Sequence, residues 1–115
     1  MSELVDNELL EKIESYPLGS QEGLGDGAVV IAKFYTMYGH SWLVTEAEVQ
    51  EDGDILFFGF VELIFSEWGY FTLSQLESVK LPIHDNDGEV IGHLSVEKDV
   101  YTPLSTVGNL KIHDW

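Results

Sequence analysis

The chain has 115 residues, of which 44% are hydrophobic, enough for one small domain with its own core. It carries 21 Asp and Glu residues against five Lys and no Arg, for a formal net charge of −16. This charge argues against direct binding to nucleic acid or to an anionic membrane, and the lack of cysteine excludes disulfides, thiolate metal sites and cysteine nucleophiles.

The sequence has no feature of a segment that enters or crosses a membrane. A cationic leader with an apolar run is missing, which predicts that there is no signal peptide. The longest apolar run, residues 55–65, is about half of the roughly 20 residues that a spanning helix needs, and Glu62 interrupts it. We therefore expect a soluble, cytoplasmic protein with one domain over residues 1–115.

The first predicted element is a short helix, followed by a glycine-rich connector. Asp6 or Asn7 is typical of a helix N-cap, and Pro17 ends the apolar stripe that follows. The stripe consists of Leu9, Leu10 and Ile13. Residues 19–27 then contain four glycines, but their spacing is not that of a dinucleotide-binding loop, and Glu22 would repel a phosphate. We expect residues 19–27 to be a turned connector.

Three strands of an antiparallel meander are predicted next, because these segments are rich in β-branched and aromatic residues. They span residues 28–38, 42–50 and 55–65, joined by turns at 39–40 and 51–54. The third strand is apolar at almost every position, which is typical of a strand buried on most of both faces.

The second strand changes character along its length. Strict alternation puts Trp42, Val44, Glu46, Glu48 and Gln50 on one face of the sheet. That face therefore begins apolar and ends acidic.

Residues 67–77 join the third strand to a second helix. Three aromatic residues of this stretch provide enough surface to anchor a core. They are Trp68, Tyr70 and Phe71. Thr72 can cap a helix over residues 73–80, and Pro82 ends it.

A second hairpin is predicted after this helix. Residues 81–84 pair with residues 89–96, and the Asp-Gly step at 87–88 favours a type I′ turn. In that register His84 and His93 are diagonal neighbours, about 7–8 Å apart.

Together these elements predict an α+β fold, an antiparallel sheet meander of about 4–5 strands with two short helices packed on it. Residues 99–115 give no firm element, although Trp115 is expected to dock on the core.

Several blocks of residues carry a family likeness over most of the chain. They are 16–23 (YPLGSQEG), 33–35 (KFY), 42–46 (WLVTE), 58–59 (FG), 68–77 (WGYFTLSQLE) and 96–101 (VEKDVY). In order and spacing the chain resembles the DUF2958-type proteins, a domain of unknown function found on plasmids, integrative elements and phages. It departs from their pattern around residues 84–93, a longer hairpin, and at Trp68, where the family often has Leu. The resemblance implies a mobile-element setting and no particular chemistry.

The alternative to a binding role is a small accessory enzyme or a metal-dependent module. Glu46 and Glu67 lie beside aromatic residues, and His84 and His93 can approach one zinc ion. However, no pattern pairs two carboxylates across a cleft, and a solvated acidic hairpin is commoner than a zinc site. We predict no catalytic residue, no metal and no cofactor. A subunit that offers its aromatic surface to an assembly is a third possibility.

An acidic recognition surface is the leading candidate site. Its six predicted members are Glu46, Glu48, Glu51, Asp52, Asp54 and Glu62. A rigid patch of carboxylates attracts a basic groove on a partner, whereas the simpler interpretation is a solvated face that aids solubility. Duplex nucleic acid presents one charge per roughly 1.7 Å of its axis, so an acidic face can compete for the channel of a nucleic-acid-binding enzyme.

These observations predict a non-enzymatic interaction protein of a mobile element. Its expected partner is a basic protein surface, such as that of a nucleic-acid-binding enzyme. Mobile elements benefit from blocking host restriction or CRISPR nucleases. The resemblance therefore favours a nucleic-acid mimic of the anti-restriction or anti-CRISPR type.

Overall fold

The computed structural model describes residues 3–111 of the chain. Trp115, and the prediction that it docks on the core, lie outside the described residues. The helices and strands follow in this order: α1 (Asn7–Ser15), β1 (Ala32–Tyr35), β2 (Ser41–Val49), β3 (Ile55–Glu62), β4 (Ser66–Thr72), α2 (Leu73–Ser78), β5 (Leu81–His84), β6 (Val90–Leu94), β7 (Glu97–Lys98) and α3 (Val107–Leu110). A single 3-10 turn (Gly25–Gly27) precedes β1.

The centre of the molecule is a five-stranded antiparallel sheet with the order β4-β3-β2-β1-β7. Its first four strands form a meander, and β5 and β6 form a separate two-stranded sheet. The prediction of an α+β fold with an antiparallel meander is therefore confirmed, and the structure adds the short helix α3. Among residues 3–111, no helix is both long enough and apolar enough to cross a membrane.

Both predicted helices begin at the predicted caps. The side chain of Asp6 accepts a hydrogen bond from the Leu9 backbone N–H at 2.8 Å. Thr72 accepts one from Gln75 N–H at 3.1 Å, and the Gln75 side chain accepts one from Thr72 N–H, so a complete capping box starts α2. The second helix ends at Ser78, two residues earlier than predicted.

One face of the sheet, here called the helix face, packs against α1 and α2 and holds the main core. The buried side chains of this core include Leu9, Ile13, Phe34, Val44, Phe57, Phe71, Leu73 and Leu76. The rings of Phe34 and Phe57 lie 5.5 Å apart at the centre. Each such side chain contributes about 1.5–3 kcal/mol when it is fully buried.

Three hairpin turns share one geometry. They contain Gly39, Gly53 and Gly88, whose φ angles are 90°, 88° and 84°. In each, the glycine N–H donates to the carbonyl three residues earlier, the pattern of a type I turn closed by a left-handed glycine. The predicted type I′ turn at 87–88 is wrong, since it would need a positive φ at Asp87, and glycines alone have one among residues 3–111.

The same hairpin keeps the predicted register over most of its length. His93 pairs with Pro82, as the predicted turn requires, and a shift between Ile83 and His84 then places His84 opposite Val90. Because His84 is two residues from Pro82 on β5, His84 and His93 lie on the same exposed face of the hairpin, and the shift changes only the pairing at His84.

Two predicted strands are shorter in the structure. The strand predicted over 28–38 is limited to β1, because Val30 N–H donates to the Ser105 carbonyl at 2.8 Å instead of joining the sheet ladder. The apolar run 55–65 is not one strand either: β3 ends at Glu62, and an exposed turn of Leu63, Ile64 and Phe65 follows.

The strand β4 was not predicted. Its residues pair with β3 from Glu62↔Ser66 to Leu56↔Thr72, where the sequence indicated a break and a junction. Phe71 enters the main core as expected of an anchor, but Trp68 and Tyr70 point to the opposite face.

Candidate functional site

A β-bulge in β2 determines which side chains reach each face of the sheet. Val44 pairs with Gly59 and Glu46 pairs with Phe58, so Thr45 is the extra residue. Without the bulge, Glu46 would lie opposite Phe57 in the main core. The bulge instead places Ala47 there and moves the carboxylate to the other face, which corrects the strict alternation predicted for this strand.

Beyond the bulge, residues 16–21 replace β1 as the neighbour of β2. Ala47 N–H donates to the Tyr16 carbonyl at 3.1 Å, and the Gln21 side-chain amide donates to the Thr45 carbonyl at 2.8 Å. Gln21 also exchanges two hydrogen bonds of 2.7 Å with the backbone of Val29. The backbone groups of this part of β2 are thereby satisfied by a loop and not by a strand.

Glu46 fixes the same loop through hydrogen bonds to its backbone. One carboxylate oxygen accepts a hydrogen bond from Gly19 N–H at 2.6 Å, and the other accepts one from Gln21 N–H at 2.9 Å. The side chain is 4% exposed. The predicted connector at residues 19–27 is therefore a loop whose first residues are fixed by the buried carboxylate of Glu46.

The face of the sheet opposite the helix face, here called the loop face, has two halves. The covered half is a second apolar cluster of Ala28, Val30, Leu43, Phe60 and Val107. It is closed because α3 and the segment before it pack on residues 28–30, with Val107 N–H donating to the Ala28 carbonyl at 2.9 Å.

The other half of the loop face is an open groove, here called the aromatic cleft. Its floor holds the rings of Phe58, Trp68 and Tyr70, and its wall is formed by residues of the loop between Gly19 and Gly25. Phe58 stacks on Trp68 with ring centroids 5.8 Å apart and lies 4.8 Å from Tyr70. Trp68 is 36% exposed and Tyr70 67%, and the cleft volume is about 440 Å³.

The six residues of the predicted acidic surface do not form one patch. Glu46 lies under the loop, and Glu62 is 1% exposed and accepts a hydrogen bond from the Ser41 hydroxyl at 3.0 Å. Both carboxylates are therefore buried and do not belong to an exposed acidic surface. Whether a partner binds at the six positions stays a prediction.

Asp54 is partly buried and ties the turn before β3 to α2. It accepts hydrogen bonds from the Ser74 hydroxyl at 2.6 Å, from Ser74 N–H at 3.0 Å and from Ile55 N–H at 2.8 Å. The bond from the Ser74 hydroxyl, opposed by burial and aided by the two backbone donors, lowers the pKa of Asp54 below its usual 3.8. Its carboxylate already has partners within the chain.

Three members of the predicted surface remain exposed at one end of the sheet. They are Glu48, Glu51 and Asp52, at the end of β2 and in the turn to β3. Asp52 accepts a hydrogen bond from Asp54 N–H at 2.9 Å, which holds the turn in a defined shape. This end of the sheet, with the exposed carboxylates of Glu48, Glu51 and Asp52, is here called the acidic end.

Four of the five lysines are paired with carboxylates inside the molecule. The pairs are Lys12–Glu8, Lys33–Asp99, Lys98–Asp6 and Lys111–Asp26, with N···O distances of 2.9–3.5 Å. A hydrogen bond from Lys98 is the main reason that the pKa of Asp6 is lowered. The pairing leaves the formal net charge at −16 and gives each of these four positive charges a carboxylate neighbour.

The two carboxylates of the enzyme alternative do not come together. Glu67 is exposed and lies on the helix-face side of β4, whereas Glu46 is buried on the loop face. The ring of His84 bonds to the Gly88 carbonyl at 3.1 Å. Within residues 3–111, no group of three or more His, Asp or Glu side chains is arranged to hold a metal ion.

The aromatic cleft was missed by the sequence analysis, although one signal for it was present. Phe58 and Phe60, like Trp68 and Tyr70, are two residues apart, which is the spacing of side chains on one face of a strand. The role of Gln21 had no such signal, because it depends on contacts with Val29 and Thr45.

Comparison with known proteins identifies a family. The family model described as "Protein of unknown function (DUF2958)" matches residues 4–104, which contain α1, the whole five-stranded sheet, α2 and the β5–β6 hairpin. No curated protein and no solved structure matches the chain. Because the matched region covers most of the sequence, the protein belongs to the DUF2958 family.

Proposed function

We propose that this chain is a non-enzymatic interaction protein that occupies a basic surface of a partner. The observation that carries the proposal is the formal net charge of −16 together with the internal pairing of four of the five lysines. A folded surface of this charge steers basic partners toward it and repels nucleic acid.

The partner in this proposal is a nucleic-acid-binding enzyme of the host. The chain acts as a nucleic-acid mimic encoded by a mobile element, inhibiting a cytoplasmic defence nuclease of the anti-restriction or anti-CRISPR type. The acidic end supports this role, since Glu48 is exposed at the end of β2, and Glu51 and Asp52 are exposed on a turn held by backbone hydrogen bonds. Fixed carboxylates lose less conformational entropy on binding than those on a flexible tail.

Capture of partners from a host lysate is the first test. The immobilised protein is incubated with nuclease-treated lysate at low and at high salt, and bound proteins are identified by mass spectrometry. We expect a nucleic-acid-binding enzyme that elutes with salt and is displaced by duplex DNA or RNA, because screening weakens such contacts. Recovery of nothing, or of a partner that neither salt nor nucleic acid displaces, would contradict mimicry.

A pair of variants with equal charge isolates the acidic end. In the first, Glu48→Gln, Glu51→Gln and Asp52→Asn are combined; in the control, Glu11→Gln, Glu14→Gln and Glu77→Gln are combined on the exposed surface of the two helices. Each removes three negative charges. We expect the first variant to bind the captured enzyme about tenfold more weakly and the control to lose little.

Equal weakening by the two variants would mean that net charge alone governs binding. In that case the partner senses the whole surface, and the acidic end has no special role.

A further inference from the structure

The aromatic cleft has a chemical character that the acidic end lacks. Its floor offers the partly exposed faces of Trp68 and Tyr70, and the charged side chains among its described lining residues are two carboxylates, Glu22 and Glu46. Glu46 is buried with a backbone N–H on each oxygen, whereas Glu22 is exposed on the loop that forms the wall.

This combination selects among classes of ligand. Anionic groups are repelled by Glu22, by Glu46 and by the net charge of −16. A neutral ring can stack on the aromatic floor but leaves the carboxylate on the rim unused. A planar cation uses both features, because it stacks on an aromatic face and donates hydrogen bonds to a carboxylate.

We propose that the aromatic cleft binds an arginine side chain of a basic protein partner. The guanidinium group stacks on the exposed faces of Trp68 and Tyr70 and donates to the Glu22 carboxylate. Arginine is favoured over lysine because its guanidinium is planar, weakly hydrated and suited to stacking and to two parallel hydrogen bonds. Charge complementarity supports this occupant, because the chain carries a large negative charge that attracts a cation. The chain has no Arg of its own that could occupy the cleft.

This inference rests on the proposed function, in which the partner presents a basic surface. It adds the residue type that the partner inserts and the place where it inserts. Arginine and tyrosine or tryptophan are the side chains that most often dominate interface energetics, and a partly enclosed groove favours such an anchor.

Titration of the full chain with short peptides tests the proposal. The probes are blocked Gly-Arg-Gly, Gly-Lys-Gly and Gly-citrulline-Gly, the last a neutral analogue of nearly the same shape as the first. The readout is the indole N–H signal of Trp68 in two-dimensional NMR, assigned with Trp68→Phe. We expect saturable binding of the arginine peptide with a Kd of about millimolar order, binding of the lysine peptide at least about threefold weaker, and no response to citrulline.

Matched variants locate the site. Tyr70→Ala should weaken the arginine peptide about tenfold, whereas Tyr101→Ala, at a tyrosine that is 91% exposed and outside the cleft, should not change it. Glu22→Gln should weaken binding about threefold or more, and Glu11→Gln, which changes the net charge equally, should have no such effect. If Tyr70→Ala fails to fold, Glu22→Gln and the three peptides still decide the question.

Several outcomes would overturn the proposal. One is a citrulline peptide that binds as well as arginine, which would indicate a site for neutral stacking ligands. Another is equal weakening by Glu22→Gln and Glu11→Gln, which would indicate attraction by net charge. No response of Trp68 to the arginine peptide would exclude the cleft directly.

The tests separate failure of this inference from failure of the proposed function. Binding of the arginine peptide in the cleft, without capture of any nucleic-acid-binding enzyme, would leave the cleft as an arginine site and remove mimicry. Capture of an enzyme that binds Tyr70→Ala and Glu22→Gln as tightly as the unmodified chain would keep the proposed function and remove this inference.

Discussion

The two halves of the loop face each contain aromatic rings, but the rings are buried in one half and partly exposed in the other. In the covered half, Phe60 is 7% exposed beneath residues 28–30 and α3. In the aromatic cleft, Phe58 projects from the same strand as Phe60, and Trp68 and Tyr70 project from the neighbouring β4, yet Tyr70 is 67% exposed. Phe58 and Phe60 share β3, so the difference in their surroundings comes from the segments that pack over this strand.

The comparison shows which apolar surface of this protein stabilises the fold and which is exposed to a ligand or a partner. A covered aromatic ring contributes to stability through its burial, whereas an exposed row of rings beside a held loop is the kind of surface that binds a ligand or a partner. The bulge at Thr45 and the loop at residues 16–21 lie at the boundary between the two halves.

Gly59 allows the bulge to form, and its replacement is expected to have the largest effect. A Cβ at this position would lie 1.9 Å from the Leu43 carbonyl oxygen, which belongs to the backbone and has little freedom to move. We expect Gly59→Ala to lower the free energy of unfolding by more than about 4 kcal/mol or to prevent folding, which chemical denaturation measures.

The control for this change is Gly69→Ala, directly opposite in β4, where an added Cβ has no atom within 4 Å. We expect it to be neutral or to stabilise by up to about 1 kcal/mol. Similar effects of the two substitutions would show that the close approach at Gly59 does not matter.

The two halves themselves are compared by removing one ring from each. Phe60→Ala opens a cavity in the covered half and should cost about 3–5 kcal/mol. Tyr70→Ala removes a largely exposed ring and should cost less than about 1 kcal/mol. Denaturant unfolding of both variants measures the difference, and equal costs would mean that the cleft is as structural as the covered half.

Glu46 is predicted to hold the wall of the aromatic cleft. In Glu46→Gln one of the two backbone donors, Gly19 or Gln21, faces an amide donor in place of an acceptor, so we expect a loss of about 1–3 kcal/mol. Faster hydrogen exchange at these two amides is the specific signature. Glu48→Gln, at an exposed position two residues along, is the control and should stay within about 0.5 kcal/mol.

Asp99 is predicted to make the stability of the fold sensitive to acid. Burial raises the pKa of Asp99, but hydrogen bonds from Thr102 and Tyr101 and the charge of Lys33 outweigh it and lower the pKa from 3.8 to about 2. Since the folded pKa is the lower one, this stabilisation is present above about pH 4 and is lost as the pH falls toward 2.

The measurement is denaturant unfolding of Asp99→Asn at several pH values. We expect a loss of about 1–2 kcal/mol at pH 7 that shrinks as the pH approaches 2, because the carboxylate is then protonated in the unmodified chain as well. Asp87→Asn, in an exposed turn, is the control. A loss that does not change with pH would argue against an ionised Asp99 as the cause.

Local signals in the sequence were sufficient for the helices and for the general class of fold. The caps at Asp6 and Thr72 act within three residues of the groups they satisfy, so their geometry is encoded in short stretches. The strand β4 was missed because Leu63, Ile64 and Phe65 continue an apolar run without a turn residue, and the chain reverses there all the same.

The candidate site was only partly predictable. The sequence indicated exposed carboxylates correctly at Glu48, Glu51 and Asp52, but alternation alone does not reveal that Glu62 bonds to Ser41 or that Glu46 lies under residues 19–21. Those contacts join positions more than twenty residues apart, and no local pattern specifies them.

The sequence by itself determined the charge, the α+β class, the helix caps and the family, because each depends on composition, on short-range periodicity or on the order of motifs. The tertiary structure alone decided which carboxylates are buried and which aromatic rings are exposed. The physical reason is the bulge at Thr45, which shifts every later side chain of β2 to the opposite face, and the loop that packs beside it.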